Sequence, residues 1–359
     1  MTTATNKYLT RQMRQLKPYV AGIQPQEPGW IKLNTNENPY PPSPKILEAL
    51  KNVDLSILRL YPPGDGGKMR MAIAESHGVG VENIFCGNGS DEVLALAFQA
   101  YFTGKNPIYT PDISYGFYRV WSDMYDVVLS PVKLREDYSV CPSDYSGGRG
   151  VIIANPNAPT GLALKLEDIE AIVRQNTNGV VIVDEAYIDF ANVESAVKLL
   201  PIYENLMIVR TFSKSHALAG MRAGYAVANP HIIDGLMLAK ESFNSYPLDI
   251  LAQTAAAIAI NDIEYLVDTV EKVKFTRHKT TEAMEALGHR VLPSQGNFIF
   301  MEVNPGESSQ KSAKMLYEYL LSQKILARYW DKPGIDGFLR VSIGTDEEMG
   351  KFISCVQQW

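Results

Sequence analysis

The sequence predicts an α/β fold: a large domain on a mostly parallel sheet, with a smaller α/β domain beside it. Three observations lead there. The chain has 359 residues, more than one ordinary hydrophobic core accommodates. Residues 151–184 alternate strand, helix and strand, the pattern of a parallel sheet with crossovers. Within them Val180, Val181, Ile182 and Val183 form an unbroken β-branched run, as in a strand buried on both faces. The expected division is an arm over residues 1–28, a large domain over 49–251, and a small domain joining 29–48 to 252–359.

Taken in order, Asn6–Leu16 suits a short basic helix, and Pro18, Gly22, Pro25, Pro28 and Gly29 stop it from continuing. Ile31–Leu33 is a short strand that enters the rigid loop Asn34-Thr-Asn-Glu-Asn-Pro-Tyr-Pro-Pro. Ser43–Asn52 reads as a helix with Pro44 in its first turn and Ile46, Leu47 and Leu50 on one face. Prolines and glycines then fix an exposed turn that presents Tyr61. Ile84–Ala97 is strand, glycine turn and helix. Gly87 and Gly89 allow close backbone approach, and Ser90 and Asp91 stand at a helix N-terminus, where free N–H groups favour an anion. Since Asp91 and Glu92 are acidic, backbone amides are the expected donors to it. An aromatic run follows that includes Tyr115, and the polar segment 130–150 reads as a strand and a loop. The strand from Val151 ends in the sharp turn Asn155-Pro-Asn-Ala-Pro-Thr-Gly, and Leu166–Asn176 is a helix. Asp184 then sits at the carboxyl end of its strand, where open α/β sheets bind ligands.

Leu206–Val209 is a further strand, leading into Arg210-Thr-Phe-Ser-Lys-Ser-His-Ala-Leu-Ala-Gly-Met-Arg-Ala-Gly-Tyr. Helices run on to about Asn261, broken at Phe243-Asn-Ser-Tyr-Pro-Leu, whose Asn244 and Tyr246 are expected at the mouth of a site. A long helix from Ile263 to about Leu287 carries Leu266, Val270 and Val273 at packing spacing. In the last part a helix spans about 310–323, and Arg340 lies on a strand with Leu339, Val341 and Ile343. Arg328 is a second cation nearby in sequence.

Composition narrows the function classes. With 46% hydrophobic and 21% charged residues the chain is globular, and a net charge of −6 without a Lys/Arg block disfavours nucleic acid. Cys86, Cys141 and Cys355 are scattered and odd in number, which supplies neither a disulfide framework nor a metal site. The five histidines show no metal spacing, and His216 is expected to be structural. No stretch approaches the ~20 apolar residues of a membrane span, and no signal-length apolar core begins the chain. The expected setting is the cytoplasm, with no membrane partner.

Lys214 and Arg222 carry the chemistry. A lysine amine in a cleft can lose its proton and attack a carbonyl, whereas a guanidinium stays charged and grips an anion, typically phosphate. Thr211 and Ser213 add hydroxyls suited to phosphate oxygens. Lysine, hydroxyls and arginine suggest a Schiff base to a phosphorylated aldehyde, which points to pyridoxal phosphate. That cofactor needs a carboxylate against its ring nitrogen and a partner for its ring hydroxyl; Asp184 and Tyr187 suit these places. Two arginines, Arg328 and Arg340, suit a dianionic phosphate better than a single carboxylate.

Asn-Pro-Asn-Ala-Pro-Thr-Gly (155–161), Asp-Glu-Ala-Tyr (184–187) and Thr-Phe-Ser-Lys with Leu-Ala-Gly-Met-Arg-Ala-Gly-Tyr resemble the fold-type I, class II pyridoxal-phosphate-dependent aminotransferases. Within them the chain is most similar to the histidinol-phosphate aminotransferase family, from Tyr19 to Gly344. The resemblance implies that Lys214 binds pyridoxal 5'-phosphate and shuttles a proton, with Tyr115 stacking on the ring. It implies a homodimer in which Tyr61 crosses to the neighbour's cofactor phosphate. It places Tyr19 near the substrate phosphate, the loop with Asn34 and Glu37 at the active-site mouth, and Arg340 on the substrate's acid group. Many family members have asparagine directly before Pro-Thr-Gly, where this chain has Ala158. Asn157 is the candidate substitute for its bond to the ring oxygen; otherwise Tyr187 acts alone. The implied reaction is transamination of L-histidinol phosphate to imidazole acetol phosphate, with glutamate and 2-oxoglutarate completing the cycle. An aromatic amino-acid aminotransferase and a threonine-phosphate decarboxylase share the key residues and stay open. A pyridoxal-phosphate sensing module of a regulator is disfavoured, since the short arm leaves no room for a basic DNA-binding domain.

Overall fold

In the strand Val181–Asp184 every residue is buried, and alternate side chains enter two different cores. Val181 and Val183 face one cluster; Ile182 faces the other. The same alternation holds for Val151 and Ile153 against Ile152 and Ala154, and for Leu206 and Ile208 against Met207 and Val209. A sheet whose strands bury both faces must carry helices on both, which explains the continuous apolar runs. The computed structural model describes residues 6–359 except 21, 103–105, 148–149 and 307. Residues 1–5 and 21 of the expected arm, and 148–149 of the expected loop, lie outside it.

The central sheet has seven strands in the order Ile84–Asn88, Ala223–Ala228, Leu206–Thr211, Val181–Asp184, Val151–Ala154, Ile108–Pro111, Leu129–Val132. Ala223–Ala228 pairs antiparallel with both of its neighbours, and the other pairings are parallel. Register aligns Ala154 with Asp184 and Asp184 with Val209, so the carboxyl ends of three strands meet at one edge.

The C-terminal third forms a four-stranded antiparallel sheet, Arg328–Tyr329, Phe338–Ser342, Phe298–Glu302 and Arg290–Val291. Ile31–Lys32 pairs in parallel with Ile325–Leu326, so the first strand is bound to the end of the chain. A separate core contains Leu33, Ile299, Met301, Leu316, Leu339, Val341 and Phe352. The long helix is Ile263–Ala286, and its Val270 and Val273 are buried in that core. The N-terminal helix is shorter than expected, Arg11–Gln15, because the Thr10 hydroxyl caps it by accepting from the Met13 N–H. No single helix among the described residues is long and apolar enough to cross a membrane.

Candidate active site

Ala154, Asp184 and Thr211, at the ends of three parallel strands, line one cavity of ≈260 Å³. Lys214, Tyr187, Ser213, Arg222, Tyr115, Ser90, Asp91, Thr35 and Glu37 line it too. These residues come from six separate stretches of sequence, brought together by the sheet order.

Lys214 follows the strand Leu206–Thr211 in a turn that is tightly held. The Ser213 N–H donates to Thr211 Oγ1, and the Thr211 hydroxyl donates to Ser213 Oγ. Asn38 Nδ2 donates to the carbonyls of Lys214 and Ser215, which fixes the backbone at and just after the lysine. Lys214 Nζ donates to the Thr35 carbonyl at 3.2 Å and lies 5.7 Å from the Tyr187 ring centroid.

Asp184 is buried. Its Oδ2 accepts from the Tyr118 hydroxyl at 2.7 Å and its Oδ1 from the Ala186 N–H at 3.2 Å. Burial pushes its carboxyl up to about 6, against the pull of these two donors. Tyr187 packs edge-on against Phe298, with its hydroxyl oxygen accepting from Asn36 Nδ2 at 3.1 Å.

The helix Gly89–Tyr101 points its N-terminus at the cavity through Ser90 and Asp91. Bare backbone is required there. A Cβ on Gly224 would come within 2.3 Å of the Ser90 nitrogen, and one on Gly89, at φ +78°, within 2.7 Å of Arg222 Nη2. Arg222 reaches Asp91 Oδ2 at 3.3 Å, and the Tyr115 hydroxyl donates to Asp91 Oδ1 at 3.0 Å. Free amides at a 13-residue helix, two hydroxyls, a guanidinium, an amine and a buried carboxylate in one cavity match an aromatic aldehyde phosphate with a ring nitrogen. The residues present fit pyridoxal phosphate.

A second cluster adjoins the first through the loop at Asn34. Arg340 Nη2 donates to the Asn34 carbonyl at 2.8 Å, and its Nε has no hydrogen-bond partner among the described residues. Arg328 stands directly opposite Arg340 on the neighbouring strand, and both guanidinium groups lie against the Trp330 ring. Burial, and then the Arg328 charge, hold the Arg340 guanidinium below its usual value. Arg328 Nη2 donates to the Val20 carbonyl, and Tyr19 stacks on Phe117 while its ring sits 6.2 Å from Tyr115. Glu37 is gripped by Lys32 at 2.6 Å and by the Thr35 hydroxyl. Burial pushes the Glu37 carboxyl up, but these partners outweigh it and leave it below its usual value.

Two expectations need correction. Asn157 does not line the cavity: its Oδ1 accepts from Ser114, and its Nδ2 donates to the Ile113 carbonyl and Thr160 Oγ1, so its carboxamide is committed within the turn. Ala158 lines the cavity instead. Asn244 and Tyr246 do not line it either; Tyr246 stacks on Tyr61 at 4.6 Å, and Tyr61 is 82% exposed. His216 is packed against Phe212, and burial depresses its imidazole to about 4, which keeps it neutral.

Sequence reasoning missed Thr35, Asn36, Asn38 and Tyr118. The first three sit in a loop whose position was legible but whose partners were not. Tyr118 lies three residues from Tyr115, and its N–H closes the turn back to the Tyr115 carbonyl at 3.2 Å; that spacing is the one signal that could have pointed to it.

The profile of the family Aminotransferase class I and II matches residues 28–356. The histidinol-phosphate aminotransferase of Acinetobacter baumannii is 44% identical over 362 residues, covering 100% of this chain and 99% of that protein. The protein of the same description from Brachyspira hyodysenteriae is 45% identical over 353 residues, covering 98% of each. The crystal structure of histidinol-phosphate aminotransferase from Sinorhizobium meliloti in complex with pyridoxal-5'-phosphate superposes with a TM-score of 0.88 at 22% identity, covering 98% of each chain.

Proposed function

The chain belongs to the class I and class II aminotransferase family, and from that membership we propose that it moves the amino group of L-histidinol phosphate to 2-oxoglutarate. The products are imidazole acetol phosphate and glutamate, as in histidine biosynthesis. One observation carries the substrate class: Arg328 and Arg340 face each other across paired strands, beside the cavity that holds Lys214. Two adjacent guanidinium groups repel unless an anion lies near them, and a phosphate dianion satisfies both. Relatives 44–45% identical over nearly their whole length support the same reading.

Pyridoxal phosphate, when bound, supplies the electron sink that lets a bond at the substrate's α-carbon break. Lys214 Nζ is the group that anchors it and then takes and returns the α-carbon proton, as general base and general acid. The Thr35 carbonyl orients that nitrogen. Asp184 serves the ring nitrogen, where its carboxylate, kept ionised by Tyr118 and the Ala186 N–H, favours a protonated ring. Tyr187 serves the ring oxygen. The amides of Ser90 and Asp91, with Thr211, Ser213 and Arg222, hold the cofactor phosphate. Tyr19, Asn34, Arg328 and Arg340 receive the substrate phosphate, with Glu37 at the same mouth. The same reading makes the protein a cytoplasmic homodimer, with exposed Tyr61 reaching the partner's cofactor phosphate.

The test is a competition of amines. Protein loaded with pyridoxal phosphate is given 2-oxoglutarate with L-histidinol phosphate, phenylalanine or phosphothreonine, and glutamate and carbon dioxide are measured. The proposal predicts glutamate formation with a clear preference for histidinol phosphate. Preference for phenylalanine would make the protein an aromatic aminotransferase, and carbon dioxide from phosphothreonine a decarboxylase.

A further inference from the structure

We propose that Asn36 is a positioning residue that aims the hydroxyl proton of Tyr187 into the cavity, and that among the described residues the Tyr187 hydroxyl is the only side-chain donor left for the cofactor's ring oxygen. The inference rests on the proposed binding of pyridoxal phosphate and goes beyond it.

The geometry fixes the direction of each bond. Asn36 is 1% exposed and sits at φ 55°, a left-handed conformation that asparagine tolerates better than most residues. Its N–H donates to Ser342 Oγ at 2.8 Å. Having accepted there, the Ser342 hydroxyl gives its own proton to Asn36 Oδ1 at 2.9 Å. Asn297 Nδ2 holds the Asn36 carbonyl at 3.0 Å, and Ser342 and Asn297 are both buried. The carboxamide therefore cannot turn over without placing its NH2 against the Ser342 proton. What remains is Nδ2, which donates to the Tyr187 oxygen at 3.1 Å. A phenol that accepts from Asn36 must direct its own proton elsewhere. Tyr187 lines the cavity, and its ring is braced by Phe298 at 5.2 Å.

The second half follows from the turn at 155–161. The residue before Pro159 is Ala158, which lines the cavity and carries no side-chain donor, while Asn157 is bonded to Ser114, Ile113 and Thr160. With Ala154 and Ala186 beside it, this wall of the cavity is apolar. A hydrogen bond that is not shared with a second donor depends wholly on the group that orients it.

Donation to an anionic oxygen lowers its basicity, so losing the donor raises the pH at which the neighbouring proton leaves. In the loaded protein this is read as the pH midpoint of the change in visible absorbance. Asn36→Asp keeps the shape but offers Tyr187 an acceptor in place of a donor. It is expected to raise the midpoint by about 1 pH unit, a tenfold change in the proton equilibrium. Tyr187→Phe is expected to move it the same way, and the double variant no further than Tyr187→Phe alone, because the two act through one bond. Adding Ala158→Asn to Asn36→Asp should bring the midpoint back down. Affinity of the cofactor-free protein for pyridoxal phosphate should fall about threefold to tenfold in Asn36→Asp. If that variant does not fold, Ala158→Asn alone decides: a second donor lowers the midpoint, and an unchanged midpoint overturns the inference. An unchanged midpoint in folded Asn36→Asp, alongside a shift in Tyr187→Phe, also overturns it. Failure of the unmodified protein to develop a visible band with pyridoxal phosphate would instead strike the cofactor reading itself.

Discussion

The Tyr118 hydroxyl donates to Asp184 Oδ2 at 2.7 Å, with both side chains out of solvent. The bond opposes the burial that drives the Asp184 carboxyl up to about 6. Tyr118 also meets Tyr115 edge to face at 5.6 Å, so one residue supports both the carboxylate and the expected stacking ring. In Tyr118→Phe the carboxyl rises further, because a donor to its ionised form is gone. Cofactor affinity, which needs the carboxylate charged, then falls off at higher pH than in the unmodified protein. Binding isotherms of pyridoxal phosphate across about pH 5 to 8 check this.

Asp184 makes the cofactor-free fold pH-sensitive in a defined direction. Its folded value, about 6, lies above the ordinary 3.8. The stability it contributes is therefore complete below the ordinary value and is lost as pH rises through about 6. The difference corresponds to ~3 kcal/mol at most. Asp184→Asn should flatten that loss, so the unmodified protein falls relative to the variant between about pH 4 and 7 in denaturant titrations of the cofactor-free form. The same variant should lose transamination.

Glu185, adjacent to Asp184, is turned the other way. It pairs with Arg210 at 3.3 Å and accepts from Ser195 Oγ and the Ala196 N–H, each at 2.7 Å. Arg210 also pairs with Asp189, which accepts from Ser215 next to Lys214. Glu185→Gln removes one of two charges facing a largely buried guanidinium, and a stability loss of roughly 2–3 kcal/mol is expected by denaturant titration. The cofactor's visible spectrum should be unchanged, since Glu185 does not line the cavity.

Arg340→Gln tests the assignment of the substrate phosphate. Loss of one charge-assisted contact predicts a fall of about 30- to 100-fold in kcat/KM for histidinol phosphate. Affinity for pyridoxal phosphate should hold, because Arg340 is not among the cavity-lining residues. Unphosphorylated histidinol should lose far less, and equal losses for the two amines would place the phosphate elsewhere.

The sheet and its edge were legible because local pattern and global position agree. β-Branched runs end in Asp184 and Thr211, and strand ends are where such folds place chemistry. Lys214, Arg222 and Tyr187 could be read since their residue types carry distinct chemistry at fixed distances from those ends. Asn157 could not: one residue of register in a tight turn decides whether a carboxamide faces the cavity or its own loop, and sequence alone does not give the turn's shape. Asn36 and Tyr118 were invisible for another reason. Their roles lie in contacts to residues 151 and 66 positions away, and neither side chain announces its partner. Tyr246 illustrates the same limit, since its ring stacks on Tyr61, far away in sequence.

The most direct test of the account is one half-reaction. Protein loaded with pyridoxal phosphate is mixed with L-histidinol phosphate, without 2-oxoglutarate, and the visible absorbance of the cofactor is followed in the unmodified chain and in Lys214→Ala. The account predicts that the unmodified protein loses its visible band in a single turnover and regains it when 2-oxoglutarate is added, while Lys214→Ala does not turn over. Normal turnover by Lys214→Ala, or an unmodified protein that keeps its band with histidinol phosphate yet loses it with phenylalanine, would contradict it.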